Sequence, residues 1–355
     1  MSRFGPQPDV DPNHAVQFRV NKAVRNGTCR LENMKLVEVP RSLLDLDVSK
    51  LMQVKEMYLD NNMLVNLPDD FGKLFNIYEL RLMNNRLATL PASIGSLTNL
   101  QLLFLRNNLI KELPGSIGNC KSIKVFQLSM NPIVELPAQV GLLTNLTELN
   151  IDNTLDLLIP PEEVISKGIK HIQSFLLSFH QARTTLKLDL PELNLNEMPA
   201  IGDLQGLTSV VMLSNCLKKL GPASVRSYDI QHLVLGDNQF QMFPTEVVCY
   251  RQLVHLDLSF NQLDSLPSDF RVATSLKMMN IAHNFLREIP PAIGQLGLMS
   301  TFIAEDNFFM SLPEEICECE SLTDLNISSN QLEDLPENFD RLSNLSNLKA
   351  TTREY

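Results

Sequence analysis

Ten asparagines recur along this chain at an interval of 23 residues: Asn62, Asn85, Asn108 and Asn131, then Asn215, Asn238, Asn261, Asn284, Asn307 and Asn330. Around each of them the frame L-x-x-L-x-L-x-x-N-x-L-x-x-L-P holds with small variations. Leu253, Leu256, Leu258, Asn261, Leu263, Leu266 and Pro267 make one copy, and Leu100, Leu103, Leu105, Asn108, Leu113 and Pro114 another. A fixed period of this length excludes an ordinary globule, in which no layer need resemble the next. It requires a stack of small units that share one core.

The frame dictates its own local structure. L-x-L alternates with period 2, so each copy predicts a short strand with its Leu side chains inward. Successive copies stack into a parallel sheet with strands about 4.8 Å apart. The Asn marks the turn leaving the sheet, where its amide can bond backbone groups of its own and neighbouring turns. Pro cannot continue a ladder. The spacer after it, such as 91–97, has room for only a short helical turn on the far side, which cannot bury its apolar face without a neighbour.

Three frames depart from the pattern. Met34 stands at the Asn position of the first, and Thr154 and Leu193 replace Asn on either side of residues 160–184. Within that interval Ile165, Ile169, Ile172, Leu176 and Phe179 fall on one helical face. Pro161, Glu162 and Glu163 suit a helix N-terminus. The expected organisation is a polar tail and cap over 1–30, a first array over 31–159, an amphipathic bridging helix over 160–184, and a second array with a C-terminal cap over 185–355.

These frames are similar to those of the leucine-rich repeat family, and the resemblance covers nearly the whole chain after about residue 30. The L-P-x-x-I-G-x-L-x-N-L spacer resembles the Ras-group intracellular members. The Pro-Pro-x-Glu-Val…Gly…Ile…Leu run resembles the helix that closes arrays in intracellular relatives, although here a second array follows. The resemblance implies an α/β leucine-rich repeat solenoid: a curved horseshoe with a concave parallel β-sheet and short helical or irregular convex segments. It also implies a non-enzymatic adaptor or scaffold in the cytoplasm, with a small GTPase or a signalling kinase or phosphatase as partner. The alternative is a structural subunit of a larger assembly, where the array is a spacer and contacts run through the convex side or the 160–184 helix.

Composition narrows the partner classes. The net charge of -11 argues against tracking a nucleic-acid backbone, which needs a basic stripe. No apolar run reaches the roughly 18 residues of a membrane span, and no polybasic cluster suits an anionic membrane surface. Met1–Arg30 lacks the apolar core of a secretory signal, so reduced cytosolic thiols are expected. No phosphate loop, hydrolase elbow, metalloprotease helix or kinase motif set occurs. Cys317 and Cys319 lie among glutamates, which raise a thiol's pKa and unfit it as a nucleophile; one is expected buried and one exposed. His232 and His255 share a strand column beside Asp257, but His283 stands in another column. Two imidazoles fall short of a metal site, and a solvated polar face is expected. No catalytic residue, metal, cofactor or small-molecule substrate is therefore assigned.

Binding should fall to the strand positions between the inward Leu residues, which face the groove. The first turns present Glu56, Tyr58 and Asp60, then Glu79, Arg81 and Met83, then Leu102, Phe104 and Arg106, then Val125 and Gln127. Tyr, Phe, Met and Arg are enriched at interface hot spots. The candidate protein-binding set is Tyr58, Arg81, Met83, Leu102, Phe104, Arg106 and Val125. Glu148, Asn150, Asp152, Lys187 and Asp189 make a polar middle, and Val211, Leu213 and Val234 a smaller apolar patch. Toward the C-terminus Asn280, Glu305, Asp306 and Asp324 make the groove acidic, suited to a basic or polar partner.

Overall fold

The protein was analysed as a computed structural model that describes residues 12–151, 157–199, 204–221, 229–269 and 273–351. The chain divides into two compact units, 1–177 and 178–355. Thr154 and Asp152 lie outside the described residues.

The first unit opens with α1 (Pro12–Asn26), β1 (Thr28–Arg30), α2 (Arg41–Leu44) and α3 (Val48–Leu51). It continues through β2 (Glu56–Tyr58), β3 (Glu79–Arg81), β4 (Leu102–Phe104), β5 (Val125–Gln127) and β6 (Glu148–Asn150) to α4 (Glu162–Ser166) and the first part of α5 (Ile169–Thr185). Strands β1 to β6 form one parallel sheet in chain order. The second unit holds β7 (Lys187–Asp189), β8 (Ser209–Val211), β9 (His232–Val234), β10 (His255–Asp257), β11 (Met278–Asn280), β12 (Thr301–Ile303), β13 (Asp324–Asn326) and β14 (Asn347–Lys349), again parallel and in order. Between strands the chain makes five-residue 3-10 turns such as Ala92–Ser96 and Gly115–Asn119. Each turn follows the Pro of its frame, which supplies an extended backbone just before it. The architecture is the α/β repeat stack expected from the frames.

The middle residue of each strand points inward. Met57, Leu80, Leu103 and Phe126 are buried in the first unit, and Val210, Leu233, Leu256, Met279, Phe302 and Leu325 in the second. One column per sheet therefore stacks like on like, each layer sealing the next. The final strand differs: Leu348, at the inward position of β14, is 42% exposed.

The ten asparagines form a buried ladder. In the Asn108 turn, Nδ2 donates to the carbonyls of Leu82 and Leu105, both at 2.9 Å, while Oδ1 accepts from Leu87 N at 3.0 Å. Each amide thus satisfies groups of two consecutive turns that the short strands leave unpaired. Where the frame has no Asn, the next one compensates. Asn62 Oδ1 accepts from both Met34 N and Leu36 N, and Asn215 Oδ1 from both Leu193 N and Leu195 N.

Two segments hold more structure than their composition suggests. Within 1–30, Val16, Val20 and Ala23 are buried on one face of α1, and β1 already pairs with β2. Over 160–184 there are two helices, separated at Gly168, whose φ of +91° suits glycine. Along α5, Ile172, Phe175, Leu176, Phe179 and Ala182 are buried at helical spacing, while Ile169 at its start and Ile165 in α4 are only half-buried.

The cysteines correct one expectation. Cys317 and Cys319 are both buried. Cys317 occupies, in its 3-10 turn, the place that Gly294 holds one repeat earlier, against the neighbouring turn; Cys319 Sγ donates to Ile293 O at 3.3 Å. Burial pushes the thiol pKa values of Cys29 and Cys319 up to about 12, aided in Cys319 by Glu318, and that of Cys120 to about 11. The folded chain holds these protons at pH values where an ordinary thiol, near 9.0, has lost its own. Their stabilisation is complete below about pH 9 and fades as pH climbs toward the folded values. Melting temperatures should therefore fall between about pH 8 and about pH 10.5, and fall less steeply for Cys29→Ala/Cys319→Ala. Equal slopes would mean that these thiols are not held neutral by the fold.

Candidate functional site

Strand register sets the outward face of the first unit. Cα pairing aligns Arg30, Tyr58, Arg81, Phe104, Gln127 and Asn150 in one column. A second column holds Thr28, Glu56, Glu79, Leu102, Val125 and Glu148. In the first column cations and rings alternate. The Arg30 guanidinium lies 4.6 Å from the Tyr58 ring centre, and that of Arg81 lies 5.1 Å from Tyr58 and 5.0 Å from Phe104. Tyr58 is held between two guanidiniums, and Arg81 bridges two rings. Each contact is attractive because the ring face is electron-rich, worth about 0.5–1 kcal/mol at exposed sites and more where water is excluded.

Carboxylates in the second column lock this stack. Buried Glu79 places Oε1 2.6 Å from Arg81 Nε. The Tyr58 hydroxyl donates to Glu56 at 3.1 Å and Glu79 at 3.4 Å, and Thr28 donates to Glu56 at 2.8 Å. Tyr78 also donates to Glu56. That bond leads the effects holding the Glu56 carboxyl below its usual range, against the opposing pull of burial. Burial, reinforced by the hydrogen bond to Glu56, pushes the Tyr58 phenol up to about 12, so it stays a neutral donor at physiological pH.

The structure brings Tyr58, Arg81 and Phe104 into direct contact, with Leu102 and Val125 alongside as Cα partners in the neighbouring column. Tyr58, Phe104, Leu102 and Val125 are half-buried, because the guanidiniums and adjacent strands cover part of their surface. Met83 and Arg106 lie two residues beyond Arg81 and Phe104, at the turn edge. Met83 N donates to Asp60 Oδ1 at 2.7 Å, and exposed Arg106 reaches Met130 Sδ at 3.7 Å. Burial raises the Asp60 carboxyl, against that backbone hydrogen bond. A cavity of about 210 Å³ opens between Arg30, Glu32, Tyr58, Asp60, Asn61 and Arg81. Sequence reasoning missed Arg30. It stands 28 residues before Tyr58 rather than 23, since the intervening turn also carries α2 and α3.

In the second unit the His232 and His255 rings are 5.8 Å apart and tilted by 41°. Burial lowers the His255 pKa, with Asp257 opposing, while Asp257 accepts bonds from Ser259 N and Oγ. Among the described residues no group of three His, Cys, Asp or Glu side chains is placed to hold a metal ion.

The sequence model described as Leucine rich repeat matches residues 75–133, and a second, described as Leucine Rich Repeat, matches 252–272 and 321–342. These segments coincide with strands and ladder asparagines of both units. The chain carries leucine-rich repeats in both units. No curated protein matches it. Among solved structures it is similar to a leucine-rich repeat protein of Leptospira interrogans, at 23% identity over 94% of this chain and 87% of that one, with a TM-score of 0.42. An internalin of Listeria monocytogenes shares 17% identity over 93% and 88%, with a TM-score of 0.42. YopM, a leucine-rich effector protein of Yersinia pestis, shares 18% over 98% and 96%, with a TM-score of 0.36. In a leucine-rich repeat the inward positions are committed to the core, which leaves the outward columns free to specify a partner. Among the described residues no helix is long and apolar enough to cross a membrane.

Proposed function

We propose that this leucine-rich repeat protein is a non-enzymatic cytoplasmic adaptor that holds a protein partner on the outward sheet face of its first unit. The contact set is Tyr58, Arg81, Met83, Leu102, Phe104, Arg106 and Val125. The observation that carries the reading is the Arg30–Tyr58–Arg81–Phe104 stack. Aromatic and Arg side chains dominate interface energetics when their rotamers are already fixed, because binding then costs little side-chain entropy. Here cation–ring contacts and buried Glu79 fix them before any partner arrives. An open sheet face suits a folded domain or an extended segment better than a small molecule, which needs enclosure.

The resemblance of the spacer to the Ras-group proteins favours a small GTPase, or a signalling kinase or phosphatase, as that partner. Free, buried thiols at Cys29, Cys120, Cys317 and Cys319 agree with a reducing compartment. The test replaces Tyr58, Arg81 and Phe104 together by Ala and measures partner capture, with thermal unfolding as a check on the fold. Recovery should fall by more than about tenfold.

A further inference from the structure

The second unit carries an aromatic ridge outside its core. The residue before each of the ten ladder asparagines adopts a left-handed backbone. In the first unit that residue is Asn61, Asn84 and Asn107, the type that tolerates the conformation best, and then Met130. The three Asn side chains join along the column, Asn84 Nδ2 donating to Asn61 Oδ1 at 2.7 Å and Asn107 Nδ2 to Asn84 Oδ1 at 2.9 Å. In the second unit the same column reads Ser214, Asp237, Phe260, His283, Asp306 and Ser329. Phe260 is 56% exposed, and its ring stacks on His283 with centres 4.0 Å apart and planes 16° from parallel. His283 Nδ1 in turn lies 2.8 Å from Asp306 Oδ2. Just past the ladder Asn of its turn, Phe285 is 54% exposed and stacks with Phe308 at 6.3 Å.

Charge decides what this ridge would accept. Along the column the order is acid, ring, imidazole, acid, with Glu305 beside Asp306 and His283 Nε2 3.9 Å from the Glu305 carboxylate. In the first unit Arg81 covers the faces of Tyr58 and Phe104. Among the described residues no guanidinium lies over Phe260 or Phe285. The ridge therefore has electron-rich faces flanked by carboxylates, and no guanidinium over them among the described residues. A planar guanidinium meets both demands, since it stacks on a ring and pairs with a carboxylate in its own plane; a lysine ammonium does the second but stacks less well.

We propose that the ridge of Asp237, Phe260, His283 and Asp306, with Phe285 beside it, docks an arginine-bearing segment of a protein partner. The guanidinium stacks on Phe260 and pairs with Asp237, one turn away. Strand-to-strand spacing of about 4.8 Å puts both within the reach of one side chain.

The test is fluorescence anisotropy of labelled hexa-arginine and hexa-lysine peptides titrated with the full chain. Hexa-arginine should bind more tightly than hexa-lysine. Phe260→Asn installs the residue type of the first unit's column, so it should keep or raise the melting temperature while weakening hexa-arginine about tenfold. Asp237→Asn should weaken it comparably. Equal binding of both peptides, unchanged by Phe260→Asn, would reduce the effect to diffuse attraction by net negative charge and overturn the proposal. So would no binding of hexa-arginine. Self-association lost in Phe260→Asn, without peptide binding, would assign the ridge to a second copy of the chain instead.

Discussion

Asn261→Ala should lower the unfolding free energy by about 3 kcal/mol, at the upper end of what one stranded buried polar group costs. Asn261 is 6% exposed, and its Nδ2 donates to Leu235 O at 3.0 Å, Leu258 O at 3.1 Å and Ser259 O at 3.1 Å. Its Oδ1 accepts from Phe240 N at 3.0 Å. Removing the amide strands the Phe240 N–H and takes one of two donors from each of three carbonyls, Leu235 O keeping Asn238, Leu258 O keeping Asn284 and Ser259 O keeping Asp237 N, in a layer that water does not reach. Asn261→Leu separates hydrogen bonding from volume. Leu193 occupies the same frame position and is buried there, so Leu is an acceptable shape. It should nevertheless stay within about 1 kcal/mol of the Ala variant, because neither restores a bond. Urea midpoints followed by far-ultraviolet circular dichroism would report both. A loss below about 0.5 kcal/mol for Ala would mean that the ladder contributes little net stability.

Gly141→Ala should be nearly as damaging, at about 2–3 kcal/mol, the cost of overpacking a tight contact. A Cβ at Gly141 would lie 2.4 Å from Leu177 N, 2.8 Å from Leu177 Cα and 2.9 Å from Gln173 O. All three are backbone atoms of α5, so no side-chain rotation relieves the clash and the helix must move. Gln173 Nε2, donating to Leu143 O within the same contact, would be displaced with it. Gly297→Ala is the control. Nothing lies within 4 Å of its added Cβ, so it should be neutral or slightly stabilising through the unfolded chain. Equal melting temperatures for the two variants would show that α5 is not seated directly on the turn at Gly141.

How much of this was legible beforehand follows from what repetition records. Inward Leu residues and ladder asparagines recur ten times, so the strand, the turn and their stacking could be read from any one copy. Helix α1 could not, because its buried stripe is only Val16, Val20 and Ala23 in an otherwise polar stretch. The groove columns were readable for the same reason as the core: a period of 23 aligns Tyr58, Arg81 and Phe104 without coordinates. Their rotamers were not. A period places a Cα but not a guanidinium, so the covering of Tyr58 by Arg30 and Arg81 emerged only with side chains in place. The aromatic ridge was equally periodic. Its meaning depended on seeing that Phe260 and His283 hold a left-handed backbone and turn their rings on each other.

Capture from cell extract tests directly whether a partner sits on the outward face of the first unit. Immobilised wild-type chain, the Tyr58→Ala/Arg81→Ala/Phe104→Ala variant and a Lys170→Glu variant at an exposed position of α5 should be presented with the same cell extract, and each recovered protein quantified. A protein should be held by wild type and by Lys170→Glu, and depleted more than about tenfold on the triple variant with its melting transition intact. Full recovery on the folded triple variant, with loss on Lys170→Glu, would contradict that placement and move the contact to the helix.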